Sequence, residues 1–179
     1  MIKIAGGIYR SRIIKTPDTL TIPTKSMVRE AVANALAQDF PQAQVLDLFA
    51  GSGALALEAL SRGAAMSYFV DSSPAAYKVI QENIQTLKAK GMAFCEDYQL
   101  ALSHFEKEKK VFDIVFLDPP YAMKEVYPNV PKYLLEHGLL SSKGIVVLEF
   151  EGEVEAPVSL FSFAKRYHYG KSDVLILRR

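Results

Sequence analysis

In Val45-Leu46-Asp47-Leu48-Phe49-Ala50-Gly51-Ser52-Gly53, an apolar strand pattern runs into a glycine-rich turn that opens a helix. Glycines at 51 and 53 allow the backbone to approach a ligand closely, as happens after the first strand of doubly wound α/β folds. A loop of this kind serves a dinucleotide, a phosphate or no ligand at all. The stretch therefore predicts the fold more strongly than the function. It is expected to form the first strand–turn–helix unit of a mainly parallel sheet.

The same alternation continues along the chain, which is typical of βαβ units. Apolar runs predict strands at 44–49, 66–70, 92–95, 112–117 and 144–150. Helical patterns lie between them at 54–62, 74–90, 98–109 and 124–137, with Gly91 expected to close the second of these helices. Two further strand runs, 161–169 and 173–177, flank Gly170-Lys171-Ser172 and predict an antiparallel hairpin at the sheet edge. The predicted class is α/β, with a mainly parallel seven-stranded sheet, helices on both faces and a C-terminal antiparallel hairpin.

The segment before residue 41 has a different character. Runs at 2–4 and 12–14 predict a small hairpin, and a helix is predicted from about Lys25 to Ala37. We divide the chain into an N-terminal extension, 1–40, and a main domain, 41–179.

The charge of the chain is unevenly distributed. Residues 1–30 carry a net charge of +4, residues 160–179 carry another +4, and the remainder carries −7. A basic start on an acidic body suggests contact with a polyanion at one edge. For the C-terminal cluster, solvated surface charge is an equal alternative.

Bulk composition excludes several classes of protein. The 179 residues fit one ordinary domain, and no apolar run approaches the roughly 18 residues that a membrane span needs. The N-terminus lacks the apolar stretch of a secretory signal. The single cysteine, Cys95, excludes an internal disulfide, fits a reducing cytoplasm and is expected to be a buried small hydrophobe. Three scattered histidines, His104, His137 and His168, lack ligand spacing, so no metal site is predicted.

Four carboxylates follow successive predicted strands: Asp47, Asp71, Asp97 and Asp118. The carboxyl ends of parallel strands share one sheet edge, where open α/β sheets bind ligands. There Asp47 is placed to reach a charged amino end, Asp71 to grip ribose hydroxyls and Asp97 to accept from an adenine amino group. The loop lacks the third glycine of a dinucleotide motif, which favours S-adenosylmethionine over NAD. Each carboxylate also has a structural alternative: Asp47 could tie down the loop, and Asp71 or Asp97 could cap the following helix.

The fourth strand ends in Asp118-Pro119-Pro120-Tyr121, which combines an acceptor, a rigid turn and an aromatic ring. Asp118 and a carbonyl beside a proline can accept both hydrogens of an exocyclic amine, and Tyr121 offers a face on which a base can stack. Two prolines remove two backbone donors, so the turn presents acceptors. This pattern favours a pocket for an amino-bearing base over a plain strand-ending turn. The later run of Glu149, Glu151, Glu153 and Glu155 is interpreted as a solvated strand end and loop.

At this point the chain closely resembles the RsmD-type 16S rRNA (guanine-N2)-methyltransferases, a branch of the Rossmann-like class I methyltransferases. The resemblance spans essentially the whole chain. It rests on Ala5-Gly6 with Arg10 and Arg12, Pro23-Thr24 with Val28-Arg29-Glu30-Ala31 and Asn34, Leu46 to Leu55, Leu57-Glu58-Ala59-Leu60-Ser61-Arg62-Gly63-Ala64, Phe116 to Tyr121, and Tyr169-Gly170. The glycine loop and the Asp-Pro-Pro-Tyr tetrad are shared by many amino-methyltransferases, whereas the N-terminal segment and the run from Leu57 to Ala64 are more particular.

The resemblance implies three groups of site residues. The S-adenosylmethionine site would be lined by Asp47, Phe49, Gly51, Gly53, Asp71 and Asp97. The target guanine would be held by the catalytic group Asp118, Pro119, Pro120 and Tyr121. RNA would be contacted by Arg10, Arg12, Thr24, Lys25 and Arg29. Three departures from the family pattern occur: Ile22 in place of an arginine, Ser26-Met27 in place of Asp-Arg, and Ala56 in place of a frequent glycine. The first two lie in the RNA-facing segment and bear on RNA affinity rather than on chemistry.

The expected reaction is in-line methyl transfer from S-adenosylmethionine to N2 of a flipped-out guanine in 16S rRNA, or in an assembly intermediate of the small ribosomal subunit. An adenine-N6 or cytosine-N4 methyltransferase remains an alternative, because the tetrad suits those amines equally well. A non-catalytic RNA-binding assembly factor is a second alternative, and a nicotinamide-dependent reductase ranks last. Arg29 has a structural alternative as a partner of Glu30 or Asp47. We expect a cytoplasmic monomer without membrane contact.

Overall fold

The computed structural model describes residues 1–17 and 23–179, apart from the side chains of Pro23 and Thr24. In the described part of the chain the strands are β1 Ile2–Lys3, β2 Ile13–Ile14, β3 Gln44–Asp47, β4 Met66–Asp71, β5 Gly91–Cys95, β6 Phe112–Leu117, β7 Leu140–Glu151, β8 Phe163–Tyr169 and β9 Ser172–Arg178. The α-helices are α1 Pro23–Ala35, α2 Ala54–Ser61, α3 Pro74–Leu87, α4 Tyr98–Lys107 and α5 Val126–Glu136. Among the residues so described, no helix has the length and apolar character needed to cross a membrane.

The main sheet has seven strands in the order β5-β4-β3-β6-β7-β9-β8. Strands β3 to β7 pair in parallel, and β9 pairs antiparallel with both β7 and β8. The order reverses between β3 and β6, the position where ligands bind in open α/β sheets. The predicted fold class and the C-terminal hairpin are confirmed. Strand β7 is longer than predicted: it begins at Leu140, and its register with β6 shifts between Phe112 and Ile114.

Side chains alternate across the sheet and divide the core into two layers. One face carries Val45, Phe69, Ile114, Phe116 and Val147 and is covered by α1, α2 and α3. The opposite face carries Leu46, Val70, Val115, Leu117 and Leu148 and is covered by α4 and α5. Because both faces are buried, the central strands are continuous apolar runs rather than alternating ones. Helices on both faces are therefore confirmed.

Two local predictions about the segment from α3 to β5 are wrong. Helix α3 ends at Leu87 and is capped by Lys88, which adopts the left-handed conformation with a φ of 51°, so Gly91 does not close it. Gly91 instead begins β5, where a Cβ atom would lie 2.5 Å from the Phe69 ring. At the other end of that strand, Cys95 is exposed rather than buried. It occupies an edge strand, which no further strand of the sheet covers.

The N-terminal hairpin of β1 and β2 docks on α2 through a buried carboxylate. Glu58 has no exposed surface, and its two oxygens accept the backbone amides of Ala5 and Gly6 at 3.0 and 2.8 Å. Arg62 donates its Nε to the same carboxylate at 3.1 Å. Ser61 adds a second anchor, because its hydroxyl accepts the amide of Tyr9 and donates to the Gly6 carbonyl. The Leu57–Ala64 run, which carries part of the family resemblance, thus forms the surface on which the N-terminal hairpin packs.

Both sides of the proposed boundary at residue 40 share one core. Ile4 and Ile14 of the hairpin and Val28, Val32 and Leu36 of α1 and the turn after it are buried in the layer that also contains β3 and α2. Helix α1 begins at Pro23 and ends at Ala35, two residues earlier at each end than predicted. The hairpin and α1 are therefore packed parts of the fold.

We expect Glu58→Ala to lower the free energy of unfolding by about 3 kcal/mol, because it leaves two backbone amides and a partly buried guanidinium without their acceptor. Chemical denaturation of the variant and the wild type measures the difference. The matched control is Glu136→Ala, whose exposed ion pair with Lys132 is expected to be worth less than about 1 kcal/mol. Equal losses in the two variants would contradict the anchoring role of Glu58.

Candidate active site

The glycine loop is held from below by Asp47, the last residue of β3. Its carboxylate is buried, and the nearby backbone amides of Phe49 and Ala56 favour its ionised form, so it links the loop to the first turn of α2. Burial raises the pKa of Asp47 to about 8, with nearby Asp118 contributing in the same direction. The structure therefore supports the alternative in which Asp47 ties down the loop. The residue also lines a cavity of about 190 Å³ beneath α1, so its predicted ligand contact stays a prediction.

Asp71, the last residue of β4, is hydrogen-bonded to the same glycine loop. One oxygen accepts the amide of Gly51 at 2.8 Å, and the other accepts the amide of Ser73 at 2.9 Å. Gly51 is left-handed with a φ of 56°, and a Cβ atom built on it would meet no atom within 4 Å. Gly53 is also left-handed, with a φ of 76°, and precedes the first residue of α2. The loop backbone is thus fixed by Asp71 and bordered by open space at Gly51, which fits a bound cofactor.

Asp97 caps α4, as the structural alternative predicted. Its Oδ1 accepts the amide of Gln99 at 2.8 Å. The same side chain also lines the main cleft, together with Glu96, so capping and ligand binding are compatible. Phe49 packs against Tyr98 with the ring centroids 5.3 Å apart, and both rings line this cleft. Carboxylates beside aromatic rings are a suitable setting for a nucleoside.

The predicted cofactor and target-base residues converge on one cleft of about 690 Å³ at the carboxyl edge of the sheet. The lining residues predicted from the sequence are Phe49, Gly51, Asp71, Asp97, Asp118, Pro119, Pro120 and Tyr121. Asp47 lines the adjoining smaller cavity, whereas Gly53 packs against the Phe69 ring and shapes the turn. Within the described residues no group of three or more His, Cys, Asp or Glu side chains is arranged to hold a metal ion.

Asp118 stands at the end of β6 and is paired with Lys25 of α1. The Lys25 ammonium donates to Asp118 Oδ2 at 3.1 Å, and the Asp118 side chain remains 37% exposed to the cleft. Burial raises the pKa of Asp118, and the Lys25 charge opposes this shift. Tyr121 is 71% exposed, with the Lys124 ammonium 5.3 Å from its ring centroid. The tetrad therefore presents one acceptor and one accessible aromatic face to the same space.

Glu149 is a cleft residue that the sequence interpretation missed. It lies near the end of β7, and the pairing of Leu117 with Leu148 puts Asp118 beside Glu149 on adjacent parallel strands. Burial raises the pKa of Glu149 to about 7, and Asp118 adds to the shift. The interpretation of this glutamate as part of a solvated strand end is therefore wrong, although Glu151 and Glu153 are exposed. No local sequence pattern reveals this position, because the register that places residues at the ends of neighbouring strands side by side belongs to the assembled sheet.

Arg29 lies inside the protein. Its side chain is 8% exposed, and its Nη2 donates to the Lys3 carbonyl at 3.3 Å. Its Nε has no hydrogen-bond partner among the described residues. The partner is thus a backbone carbonyl of β1 and neither Glu30 nor Asp47, the two partners expected from the sequence. A buried guanidinium next to the small cavity gives no support to an RNA contact by Arg29.

Two of the other predicted RNA-contacting residues, Arg10 and Arg12, lie on the surface. Arg10 and Arg12 are exposed near the C-terminal ends of α2 and α3, and the Arg12 guanidinium donates to the Thr86 carbonyl at 3.1 Å. These helix ends face the amino edge of the sheet, about 12 Å from the glycine loop along α2. The side chain of Thr24 lies outside the described residues, as does Ile22. Met27, a departure from the family pattern, is exposed on α1.

Much of the C-terminal positive charge is paired internally. Arg178 forms two hydrogen bonds with Asp39 at 2.8 and 2.9 Å, and Arg166 is bonded through two nitrogens to Asp173. Arg179 donates to the Leu140 carbonyl. Three of the five cations of this cluster are thus held by partners within the fold, which neither of the two explanations left open, polyanion contact or solvated surface charge, had anticipated.

We expect Asp47→Asn to change how stability depends on pH. In the folded protein the pKa of Asp47 is about 8 against an ordinary value of 3.8, so protonation favours folding. This stabilisation is complete below pH 3.8 and is lost as the pH rises to about 8, with a slope of at most about 1.4 kcal/mol per pH unit. The free energy of unfolding of the variant relative to the wild type therefore increases between pH 5 and pH 8.

Urea denaturation at several pH values measures this difference. Loss of an amide acceptor adds an offset that does not vary with pH, so the slope is the diagnostic quantity. Ser52→Ala, in the same loop, removes no ionisable group and serves as the control. Its free energy of unfolding is expected to differ from that of the wild type by the same amount at every pH. Parallel curves for Asp47→Asn and the wild type would refute the assigned shift.

Comparisons with known proteins show which family, relatives and solved structures this chain is similar to. The family described as Conserved hypothetical protein 95 matches residues 2–178. Ribosomal RNA small subunit methyltransferase D of Escherichia coli is 36% identical over 157 residues, covering 87% of this chain and 78% of the relative. The structure of a hypothetical protein from Thermus thermophilus superimposes with a TM-score of 0.85 at 26% identity, covering all of both chains.

A more distant structure shares the fold alone. The Thermus thermophilus 16S rRNA N2 G1207 methyltransferase RsmC, in complex with AdoMet and guanosine, matches with a TM-score of 0.69 at 23% identity. The match covers 90% of this chain and 44% of that protein. The family match and the level of identity to the Escherichia coli relative confirm the resemblance first carried by the sequence motifs. The chain belongs to the RsmD-type family of rRNA methyltransferases.

Proposed function

We propose that this protein transfers a methyl group from S-adenosylmethionine to the exocyclic N2 amine of a guanine in 16S rRNA, acting as a cytoplasmic monomer on the rRNA or on an assembly intermediate of the small subunit. The observation that carries the proposal is the single cleft in which the glycine loop with Asp71 and Asp97 faces the Asp118–Tyr121 turn. The name of the Escherichia coli relative supports the rRNA substrate.

The cofactor end of the cleft suits an adenosyl group. S-adenosylmethionine, when bound, supplies an electrophilic methyl group. Asp71 already fixes the loop by accepting the Gly51 amide. The side of the Asp71 carboxylate that faces the cleft would accept hydrogen bonds from the ribose hydroxyls. Asp97 would accept from the adenine amine beside the packed Phe49 and Tyr98 rings. Because Asp71 and Asp97 are held by backbone amides, both are oriented before any ligand arrives, and little reorganisation is needed.

The target-base end supplies acceptors for an amine. The lone pair of an exocyclic amine is delocalised into the ring, so the amine is a weak nucleophile. Asp118 and the Pro119 carbonyl would accept its two N–H groups, turn the lone pair toward the methyl group and stabilise the positive charge that develops. Asp118 would then receive the released proton. Tyr121 would stack on the base, with Pro120 restricting the turn.

Lys25 has a role at this site rather than at a remote RNA surface. Its ammonium stabilises the ionised form of Asp118 against the effect of burial. The amine of an incoming base is a donor like the ammonium, so it would replace Lys25 at Asp118 Oδ2. Lys25 would then be free to contact a phosphate or the base itself. In this assignment the RNA-contacting residues proposed outside the cleft are Arg10, Arg12 and Thr24.

The test is incubation of the protein with labelled S-adenosylmethionine and under-methylated small subunits, followed by digestion and identification of the labelled nucleoside. N2-methylguanosine supports the proposal. Methyladenosine or methylcytidine would replace it with an adenine-N6 or cytosine-N4 methyltransferase. Cofactor binding without labelled product would favour a non-catalytic assembly factor or another nucleic-acid substrate.

We expect Asp118→Asn to reduce turnover by at least about a hundredfold, because it removes one preorganised electrostatic group at the reacting amine. Cofactor affinity, measured by calorimetry, stays within about twofold of wild type, since Asp118 lies at the target-base end. Glu153→Gln changes a carboxylate that is 89% exposed and serves as the matched control with unchanged turnover. Near-wild-type turnover of Asp118→Asn would refute the catalytic role.

We expect the double variant Arg10→Ala/Arg12→Ala to weaken RNA binding and to flatten its salt dependence, because two phosphate contacts are lost. The slope of log K against log salt falls in magnitude by about 1 to 2. Filter binding at several salt concentrations measures the slope, and a thermal melt monitors the lost Arg12–Thr86 hydrogen bond.

The control is Lys107→Ala/Lys109→Ala, which removes equal charge from the exposed end of α4 on the other face of the sheet. An identical loss of RNA affinity in both double variants would show only a general effect of net charge. Unchanged binding of the arginine variant would place the RNA elsewhere.

A further inference from the structure

Glu149 lies beside Asp118 in the cleft, where it can meet a base that Asp118 holds. In β6 and β7 the register pairs Leu117 with Leu148, and neighbouring strands lie about 4.8 Å apart. Alternation directs Asp118 and Glu149 to the same face of the sheet, the one covered by α1. Both residues line the main cleft and the smaller cavity.

The carboxylate of Glu149 has no structural task among the described residues. The backbone of Glu149 pairs with Val174, and its carbonyl accepts the Tyr127 hydroxyl at 3.0 Å. The side-chain oxygens, in contrast, accept no hydrogen bond from any described residue. The nearby cation, Lys25, is bonded to Asp118 instead. Keeping a carboxylate at a largely buried position without a donor costs free energy, so a donor supplied by a ligand accounts for its presence there.

The chemistry of the bases indicates which donor this is. In guanine the N2 amine is flanked by N1–H, a donor in the ring plane. In adenine and cytosine the exocyclic amine is flanked by an unprotonated ring nitrogen, an acceptor. In its ionised form, a second carboxylate beside the one that holds the amine therefore attracts the N1–H of guanine and repels the bare ring nitrogen of the other two bases, and a bound N1–H donor in turn stabilises that ionised form.

We propose that Glu149 selects guanine by accepting its N1–H while Asp118 holds the N2 amine. This inference rests on the proposed function and adds the residue that distinguishes guanine from the amines of adenine and cytosine. Asp118 alone accepts any exocyclic amine, so the tetrad by itself does not choose the base. Glu149 is thus a specificity-determining residue and not the proton acceptor.

The test compares guanine with 2-aminopurine, which keeps the N2 amine but has a bare N1. The modified position is first mapped on the small subunit, and a synthetic segment carrying either base is ligated into the rRNA before reconstitution. The ratio of kcat/KM for the two bases is measured for the wild type, Glu149→Gln and the control Glu153→Gln. We expect the wild type and the control to prefer guanine by about 10- to 100-fold, the value of one charge-assisted hydrogen bond. An amide at position 149 can donate to a bare N1 or accept from N1–H, so the ratio falls at least about tenfold in Glu149→Gln.

Binding gives a second readout if Glu149→Gln transfers methyl groups too slowly. The fluorescence of 2-aminopurine reports its removal from the stack, and competition by the guanine RNA gives the affinity ratio without turnover. Cofactor affinity and a thermal melt establish that the variant is folded. A ratio unchanged from wild type, with N2-methylguanosine as the product, overturns the role of Glu149 and leaves the proposed function intact. A product other than N2-methylguanosine overturns both.

Discussion

The site depends on the parallel register of β3, β4, β6 and β7, which brings the carboxyl ends of these strands to one edge of the sheet. Four of the acidic residues at this edge are Asp47, Asp71, Asp118 and Glu149. Burial, and to a smaller extent repulsion between neighbouring carboxylates, raises the pKa of Asp47, Asp118 and Glu149. Holding several carboxylates close together costs electrostatic free energy. It also makes this edge of the sheet rich in hydrogen-bond acceptors, which suits ligands that carry ammonium groups, hydroxyls and amines.

Three carboxylates of the cleft, Asp71, Asp97 and Asp118, are held by two kinds of donor, which differ between the two ends of the cleft. At the glycine-loop end, backbone amides are the donors: Asp71 binds Gly51 and Ser73, and Asp97 binds Gln99. Such bonds fix both the loop and the carboxylates. At the Asp118 end, the donor is the Lys25 side chain. The carboxylates of the glycine-loop end are therefore held by the backbone, whereas Asp118 is held by a side chain with many rotamers.

The N-terminal segment belongs to this arrangement because it carries α1 over the sheet edge. Glu58 anchors the β1–β2 hairpin to α2, and Arg29 joins α1 to β1 through the Lys3 carbonyl. Asn83 of α3 connects Lys15, the residue after β2, to the glycine loop, since its side chain bonds both Lys15 and the Ser52 carbonyl. The segment that the sequence marked as RNA-facing is thus also the scaffold that positions Lys25 against Asp118.

The sequence by itself determined the fold class, the C-terminal antiparallel hairpin and the residues at the ends of β3, β4 and β6. Apolar periodicity, the turns at Gly51 and Gly53 and the Asp118–Tyr121 tetrad are local patterns, and local patterns are readable from one chain. Only the tertiary structure decided the place of Lys25, Arg29 and Glu149. A charged residue in a helix or at a strand end has the same local pattern whether it faces water, a carbonyl or a carboxylate. Its partner comes from an element far away in sequence, 93 residues away for the Lys25–Asp118 pair, so packing and register decide its role.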